Sequence, residues 1–157
     1  MQTCYIETPL GHAKIVGDDN GITSVSILDT KEELSDTIPE SLLDCVIQLK
    51  EYFNETRKNF DLKLNVEGTV FQKKVWKTLE TIPFGKTISY LQLSKQLGNV
   101  KAIRAAASAN GKNPLWIIVP CHRVIGSDGS LTGYAGGLYR KQWLLNHESE
   151  YKQQSLF

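Results

Sequence analysis

The sequence predicts a two-part chain: an α/β unit over residues 1–68, then a mostly helical half over residues 69–157 carrying a helix-turn-helix. Three observations point there. Up to Val66 apolar and polar residues alternate with period two around one helical stretch, from Thr69 apolar residues recur at three and four, and the charge changes sign at the same place. A length of 157 residues, 41% hydrophobic and 22% charged, suits one compact unit or two small subdomains and excludes a large multidomain enzyme. No apolar run reaches the roughly 20 residues that cross a bilayer, and Met1 to Glu7 lacks the basic start and apolar stretch of a secretory signal. The expectation is a soluble, cytoplasmic chain (nuclear if eukaryotic) with no membrane partner. Cys4, Cys45 and Cys121 show no paired spacing, so reduced thiols are expected; without Cys-x-x-Cys or His-x-x-x-His, no metal is expected.

The formal net charge of +1 conceals a division. Residues 1–68 hold 6 Lys or Arg against 13 Asp or Glu, a net of −7, whereas residues 69–157 hold 12 against 4, a net of +8. Such asymmetry fits a second half that faces nucleic acid, and equally two halves that attract each other.

In the first unit, alternation at Cys4/Ile6, Ala13 to Val16 and Ile22 to Leu28, broken by Thr8-Pro9-Leu10-Gly11 and Asp18-Asp19-Asn20-Gly21, predicts strands joined by tight turns. Leu42, Leu43, Val46, Ile47 and Leu49 predict a helix over about Glu40 to Phe53, and Asp61 to Val66 alternates again. In the second half, Phe71, Val75, Trp76 and Leu79 form one stripe, stopped by Pro83-Phe84-Gly85. Ser89, with Gln92 three residues on, caps a helix whose Leu93 and Leu97 face inward and which Gly98 ends. After a turn at Asn99, Val100 to Asn110 forms the second helix of the helix-turn-helix. Ile103 and Ala107 are expected inward, leaving Ala102, Ala105, Ser108 and Ala109 outward beside Lys101 and Arg104. That smooth face suits close approach to a groove, or packing through small residues.

Leu115 to Pro120 is an apolar run, expected to be extended and buried, that delivers the chain to Cys121-His122-Arg123. A free thiol has a pKa near 8.5, so Cys121 needs a base or a positive field at neutral pH, and His122 and Arg123 are candidates. Neighbours on an extended segment point apart, so a water between Cys121 and His122 is plausible. Glu148 is the candidate carboxylate for the imidazole, because the basic half has only Glu80, Asp128, Glu148 and Glu150. The glycine-rich run Gly126 to Gly137 can line a pocket with backbone amides and one aromatic wall. The blander alternative is a packed cysteine beside a surface histidine.

Pro120-Cys121-His122-Arg123-Val124-Ile125, with Asn113-Pro114, Tyr134-Ala135-Gly136-Gly137 and Trp143-Leu144-Leu145-Asn146-His147-Glu148, closely resembles the O6-alkylguanine-DNA alkyltransferases, or methylated-DNA–protein-cysteine methyltransferases. The resemblance covers about Thr69 to Glu148; the first 68 residues agree in general character. It implies a ribonuclease-H-like α/β N-terminal domain and a winged helix-turn-helix-like C-terminal domain. It also implies a monomer that needs no cofactor and acts on double-stranded DNA containing O6-alkylguanine. By the resemblance, Cys121 accepts a methyl or other alkyl group from O6 of guanine, with O4 of thymine a further candidate, and keeps it. His122 takes the thiol proton through a water, Glu148 orients His122, and Asn113 braces the turn. Tyr90 donates to the departing guanine and helps rotate the phosphate. Arg104 fills the space left by the flipped base, with its helix in the minor groove. Tyr134 walls the pocket, where the Ala135 N–H meets O6, and Val124 and Trp116 are further pocket candidates.

Elementary chemistry agrees: the reacting carbon lies within the stacked duplex, so the base must come out at a cost of a few kcal/mol. The chain departs from the family pattern in having Ala135 where many relatives have serine, and Ala106-Ala107-Ser108 where valine and glycines are common. Apart from Cys4, nothing matches the N-terminal zinc site of some relatives. The competing classes are a non-catalytic alkylated-DNA sensor or helix-turn-helix binder, and a Cys-His-Glu hydrolase of papain type.

Overall fold

Turn chemistry sets the first sheet. In the computed structural model, which describes residues 1–131, 134 and 136–149, β1 (Gln2–Thr8), β2 (Gly11–Asp18) and β3 (Gly21–Ile27) form an antiparallel sheet in the order β1-β2-β3. Thr8 closes the first turn, its hydroxyl donating to the Gly11 carbonyl at 2.7 Å and accepting from the Leu10 N–H. The Asp18 carboxylate accepts from the Asn20 N–H in the second turn. Register runs from Gln2↔Gly17 to Thr8↔Gly11 and, across a bulge at Val16/Gly17, from Ala13↔Ile27 to Asp18↔Gly21.

The period-two pattern turns Cys4, Ile6, Ala13 and Ile15 to one buried face, and the bulge brings Ile22 and Val25, three residues apart, onto that same face. α1 (Glu40–Phe53) covers it with Leu42, Cys45, Val46, Leu49 and Tyr52, the helix bounds being those expected from the sequence. Burial, then the neighbouring Cys4, pushes the Cys45 thiol up to about 12, so it stays protonated and packs as a small apolar side chain. Residues 61–66 alternate in exposure as their sequence suggests, yet they make a single parallel bridge, Ile22↔Leu64. Gly21, at φ +131°, permits this: a Cβ there would stand 2.9 Å from the Lys63 carbonyl oxygen.

The chain divides into two units, residues 1–67 with 114–116, and residues 68–113 with 117–157. The excursion at 114–116 is held by the Val25 N–H on the Pro114 carbonyl and the Trp116 N–H on the Val25 carbonyl.

The second unit is helical. α2 (Val70–Leu79) starts at a full capping box, in which the Thr69 hydroxyl accepts from the Gln72 N–H and the Gln72 side chain accepts from the Thr69 N–H. The strand β4 (Ile88–Ser89) leads into α3 (Tyr90–Gln96), where Ser89 and Gln92 form the expected second box. Gly98, at φ +85°, ends the helix, and the Asn99 side chain accepts from the Lys101 N–H to start the next. A 3-10 turn at Val100–Ala102 then runs into α4 (Ile103–Gly111). Another 3-10 turn, Cys121–Arg123, leads to β5 (Val124–Ile125), which pairs in parallel with β4. α5 (Leu138–Glu148) is the last described helix. Among the described residues no helix is long and apolar enough to cross a membrane.

Replacing Thr69 by Ala removes the acceptor for the Gln72 N–H and is expected to destabilise the chain by about 1 kcal/mol. Urea unfolding checks this; a midpoint equal to that of the parent chain would show the cap to be dispensable.

Candidate active site

The route to Cys121 is not the extended strand expected from the sequence. Leu115 makes one parallel bridge to Val25, after which the chain turns, and Ile117 adopts φ 70°. A β-branched residue is rarely found there, at a cost of order 1–3 kcal/mol that the surrounding structure must hold in place. Asn113 helps hold it, donating from Nδ2 to the Val119 carbonyl at 2.7 Å, while Asn110 donates to the carbonyl of Cys121 at 3.3 Å. The Cys121 N–H in turn donates to Val119.

Residues 121–123 form one 3-10 turn, so their side chains leave about 120° apart. Cys121, His122 and Arg123 are all buried, His122 completely. The imidazole Nε2 lies 2.7 Å from Oε2 of Glu148, at the end of α5. Arg123 reaches the same carboxylate from Nε to Oε1 at 2.7 Å and from Nη2 to Oε2 at 3.0 Å, and its Nη1 donates to the Ile82 carbonyl. Burial alone would raise the Glu148 carboxyl, but hydrogen bonds and charge from His122 and Arg123 overcome it and hold the group well below the usual carboxylate range. Burial pulls His122 below its ordinary value against the opposing pull of Glu148, leaving the imidazole neutral at pH 7. An ionised carboxylate only accepts, so Nε2 carries the proton and Nδ1 offers a lone pair. Nδ1 has no hydrogen-bond partner among the described residues.

The sulfur feels several groups. Burial pushes the Cys121 thiol up, against a side-chain hydrogen bond with Asn113, the charge of Lys141, its own backbone and a side-chain hydrogen bond with Tyr134. Arg123, a sequence candidate for the positive field, is instead committed to Glu148 and Ile82; the cation acting on the sulfur is Lys141. Sequence reasoning did not single out Lys141, yet it shares a helical stripe with Leu144 and Glu148, at i+3 and i+7, which marks it as inward-facing.

The fold brings Cys121, Asn113 and Tyr134 together, and likewise His122 and Glu148. Tyr90 opens α3 with its ring 5.9 Å from the Lys141 Nζ. Val124 is buried in β5. Trp116 clusters with the first unit, with its ring 6.1 Å from that of Phe53. Ala135 lies outside the described residues.

α4 corrects the expected helix face. Ala106, Ala109 and Asn110 are buried, whereas Ile103, expected inward, is exposed, and Ala107 is half-buried. Ala109 is therefore not on the open surface; its carbonyl accepts from the Trp76 indole at 2.8 Å. With alanine at most positions of α4, periodicity carries little signal about which face packs, so its one large apolar side chain, Ile103, was a poor guide. The exposed face carries Lys101, Ile103, Arg104, Ala105 and Ser108, with Ala102 half-buried beside it.

The chain is similar to known proteins. The family model of the 6-O-methylguanine DNA methyltransferase DNA binding domain matches residues 70–150, and that of the family's ribonuclease-like domain matches residues 1–66. A methylated-DNA–protein-cysteine methyltransferase of Methanosarcina acetivorans is 43% identical over 155 residues, spanning 94% of this chain and 98% of its own. Another of that name, from Mycolicibacterium paratuberculosis, is 43% identical over 155 residues, spanning 96% and 94%. The crystal structure of Mycobacterium tuberculosis OGT in complex with DNA matches with a TM-score of 0.85 and 42% identity, over 97% of this chain and 95% of that one. With both family models together spanning nearly the whole chain and relatives above 40% identity along its length, this chain belongs to the 6-O-methylguanine DNA methyltransferase family.

Proposed function

We infer that this chain repairs alkylated DNA directly, as a methylated-DNA–protein-cysteine S-methyltransferase that accepts the alkyl group of an O6-alkylguanine on Cys121 and acts once. The observation that carries this is the buried Cys121 in one turn with a His122 whose imidazole is hydrogen-bonded to Glu148, within a chain of this family. A water between the sulfur and Nδ1 of His122 passes the thiol proton to the imidazole, and Glu148 stabilises the resulting imidazolium. The thiolate attacks the alkyl carbon, the S–C bond forms, the C–O6 bond breaks, and the electron pair leaves with guanine. Tyr90 protonates the departing base, which lowers the barrier as charge develops. A thioether does not hydrolyse readily, so the acceptor is consumed. No cofactor enters this scheme. Thymine alkylated at O4 presents similar chemistry and is a second candidate substrate.

The target carbon is reachable only after the nucleotide leaves the stack. Arg104, with Lys101, Ala105 and Ser108 on the exposed face of α4 and Ala102 at its edge, is the group we assign to the duplex, Arg104 filling the vacated space. Tyr134, Val124 and the Ala135 N–H are assigned to the pocket, and Asn113 to bracing the turn. The three-stranded sheet backed by α1 supports a ribonuclease-H-like reading of residues 1–68 as a scaffold. The helix pair α3/α4 with the β4–β5 pair supports a winged helix-turn-helix reading of residues 69–157. We take the working form to be a cytoplasmic monomer on double-stranded DNA. A lesion sensor is disfavoured by the retained Cys121, and a papain-type hydrolase leaves the Arg104 face without a role.

Incubation with a duplex containing O6-methylguanine is expected to add one methyl group per chain, found on the Cys121 peptide by mass spectrometry; an unmodified peptide from folded, reduced protein sinks the assignment. Cys121→Ser should abolish transfer and leave DNA affinity largely intact. His122→Ala should slow transfer by roughly 10²- to 10⁴-fold, the usual range for losing a general base; single-turnover kinetics measure it, and an unchanged rate would remove His122 from the proton path. Arg104→Ala should impair repair of duplex more than of free O6-methylguanine, and equal loss on both would refute a role in extrusion. Raising salt should weaken DNA binding, as phosphate neutralisation by the basic half requires.

A further inference from the structure

The Pro83-Phe84-Gly85 stop after α2 lies against the buried Arg123–Glu148 pair. Ile82, itself buried, hangs from the end of α2 by its N–H on the Leu79 carbonyl at 3.0 Å. The Lys86 N–H then donates to the Pro83 carbonyl at 3.1 Å, closing a turn whose third residue is Gly85 at φ +81°, the position at which a type II turn calls for glycine. Three residues of this short segment meet the pair. The Ile82 carbonyl accepts from Arg123 Nη1 at 2.7 Å. The Phe84 ring covers the guanidinium, with its centroid 5.7 Å from the central carbon. A Cβ on Gly85 would stand 3.1 Å from the Glu148 carbonyl oxygen, so glycine lets the turn close onto the end of α5.

We propose that the Ile82–Gly85 turn is a positioning element of the proton path, which aims the Glu148 carboxylate through Arg123 and thereby holds His122 in the tautomer that can take a proton. This rests on His122 being the base that receives the Cys121 proton, and it adds what keeps that base correctly oriented. A guanidinium is a planar fork, so the oxygens it meets depend on how its plane is set. The Ile82 carbonyl on one edge and the Phe84 ring on one face set that plane. Its other edge then reaches both carboxylate oxygens, Nε to Oε1 at 2.7 Å and Nη2 to Oε2 at 3.0 Å. Oε2 is also the oxygen 2.7 Å from His122 Nε2. A neutral imidazole has two tautomers, and the hydrogen bond made by one nitrogen selects between them. With the proton on Nε2, Nδ1 keeps a lone pair; with the proton on Nδ1, the ring has no site there to accept another. Gly85 and Phe84 are thus positioning residues, acting on His122 through Arg123 and Glu148.

The test separates aim from stability. The ring nitrogens of His122 are read by ¹⁵N NMR without DNA, and methyl transfer from an O6-methylguanine duplex is read by single-turnover kinetics. In the parent chain Nε2 should carry the proton and Nδ1 the lone pair; the reverse tautomer would overturn the proposal. In Gly85→Ala the added methyl pushes the turn off the end of α5. The two nitrogen shifts should converge as tautomers mix, and transfer should slow by roughly 10²-fold, the effect of a misplacement of about 1 Å. Thr69→Ala, weakened at the far end of α2, should keep the parent's tautomer and rate. Parent-like values in Gly85→Ala, or equal changes in Thr69→Ala, would leave the turn with no role beyond ending α2. Should Gly85→Ala fail to fold, Phe84→Leu and Phe84→Tyr decide. Leucine takes the ring off the guanidinium and should slow transfer at least about threefold with the same spectral change, while tyrosine keeps a ring face and should match the parent. Leucine matching the parent, or equal losses in both variants, would refute the proposal. Failure of the repair assignment appears separately, as a parent chain whose His122 holds the expected tautomer yet takes no methyl group from DNA.

Discussion

The buried carboxylate of Glu148 is the constraint on which the second unit's chemistry depends. It sits at the last turn of α5, and both of its oxygens are engaged from the Cys121–Arg123 turn, by the His122 imidazole and the Arg123 guanidinium. Taking a carboxylate out of water is costly, and that cost is offset only because each oxygen has a charged or polar donor at close range. Removing a partner from such a cluster typically costs about 3–5 kcal/mol, so the arrangement also acts as a clamp. One end of α5, a single 3-10 turn and the Ile82 carbonyl are held together through it. The strained backbone at Ile117, a few residues upstream, is the kind of conformation that persists only where neighbouring structure fixes it.

That clamp has an electrostatic consequence. Arg123 neutralises Glu148, the imidazole is neutral, and the charge of Lys141 is among the influences that oppose burial at the sulfur. A buried thiol would otherwise be inert, as Cys45 illustrates: with burial and only another thiol beside it, its pKa rises to about 12. Burial raises Cys121 as well, but there hydrogen bonds with Asn113 and Tyr134 and the charge of Lys141 work against it, whereas nothing of that kind opposes burial at Cys45. In a family whose members are named for methyl transfer from DNA to cysteine, this is the distinction the fold must supply.

The exposed face of α4 shows a different dependence. Trp76 donates to the Ala109 carbonyl, and with Ala106 and Asn110 buried the helix packs through small residues. The opposite side then presents Arg104 and Ser108 with little bulk between them. A helix that packs this way can approach another surface closely on its free side, which is the property a groove-binding helix requires.

Much of this molecule was legible in the chain itself. Period-two alternation and turn residues located three strands, and apolar spacing located α1 and α3, because each signal is local and carried by side chains a few residues apart. The motif around Cys121 was legible for the same reason, and Glu148 could be picked out from the scarcity of acids in a basic half. What tertiary structure alone decided was how those residues are aimed. Which face of the alanine-rich α4 packs was decided by its neighbours, Trp76 among them, the run before Cys121 became a turn rather than a strand, and Trp116 clustered with the first unit. Arg123, a candidate cation for the sulfur, was instead drawn to Glu148, because a buried charge settles on whichever partner the packed helices bring within reach, and that distance is a property of the assembled fold.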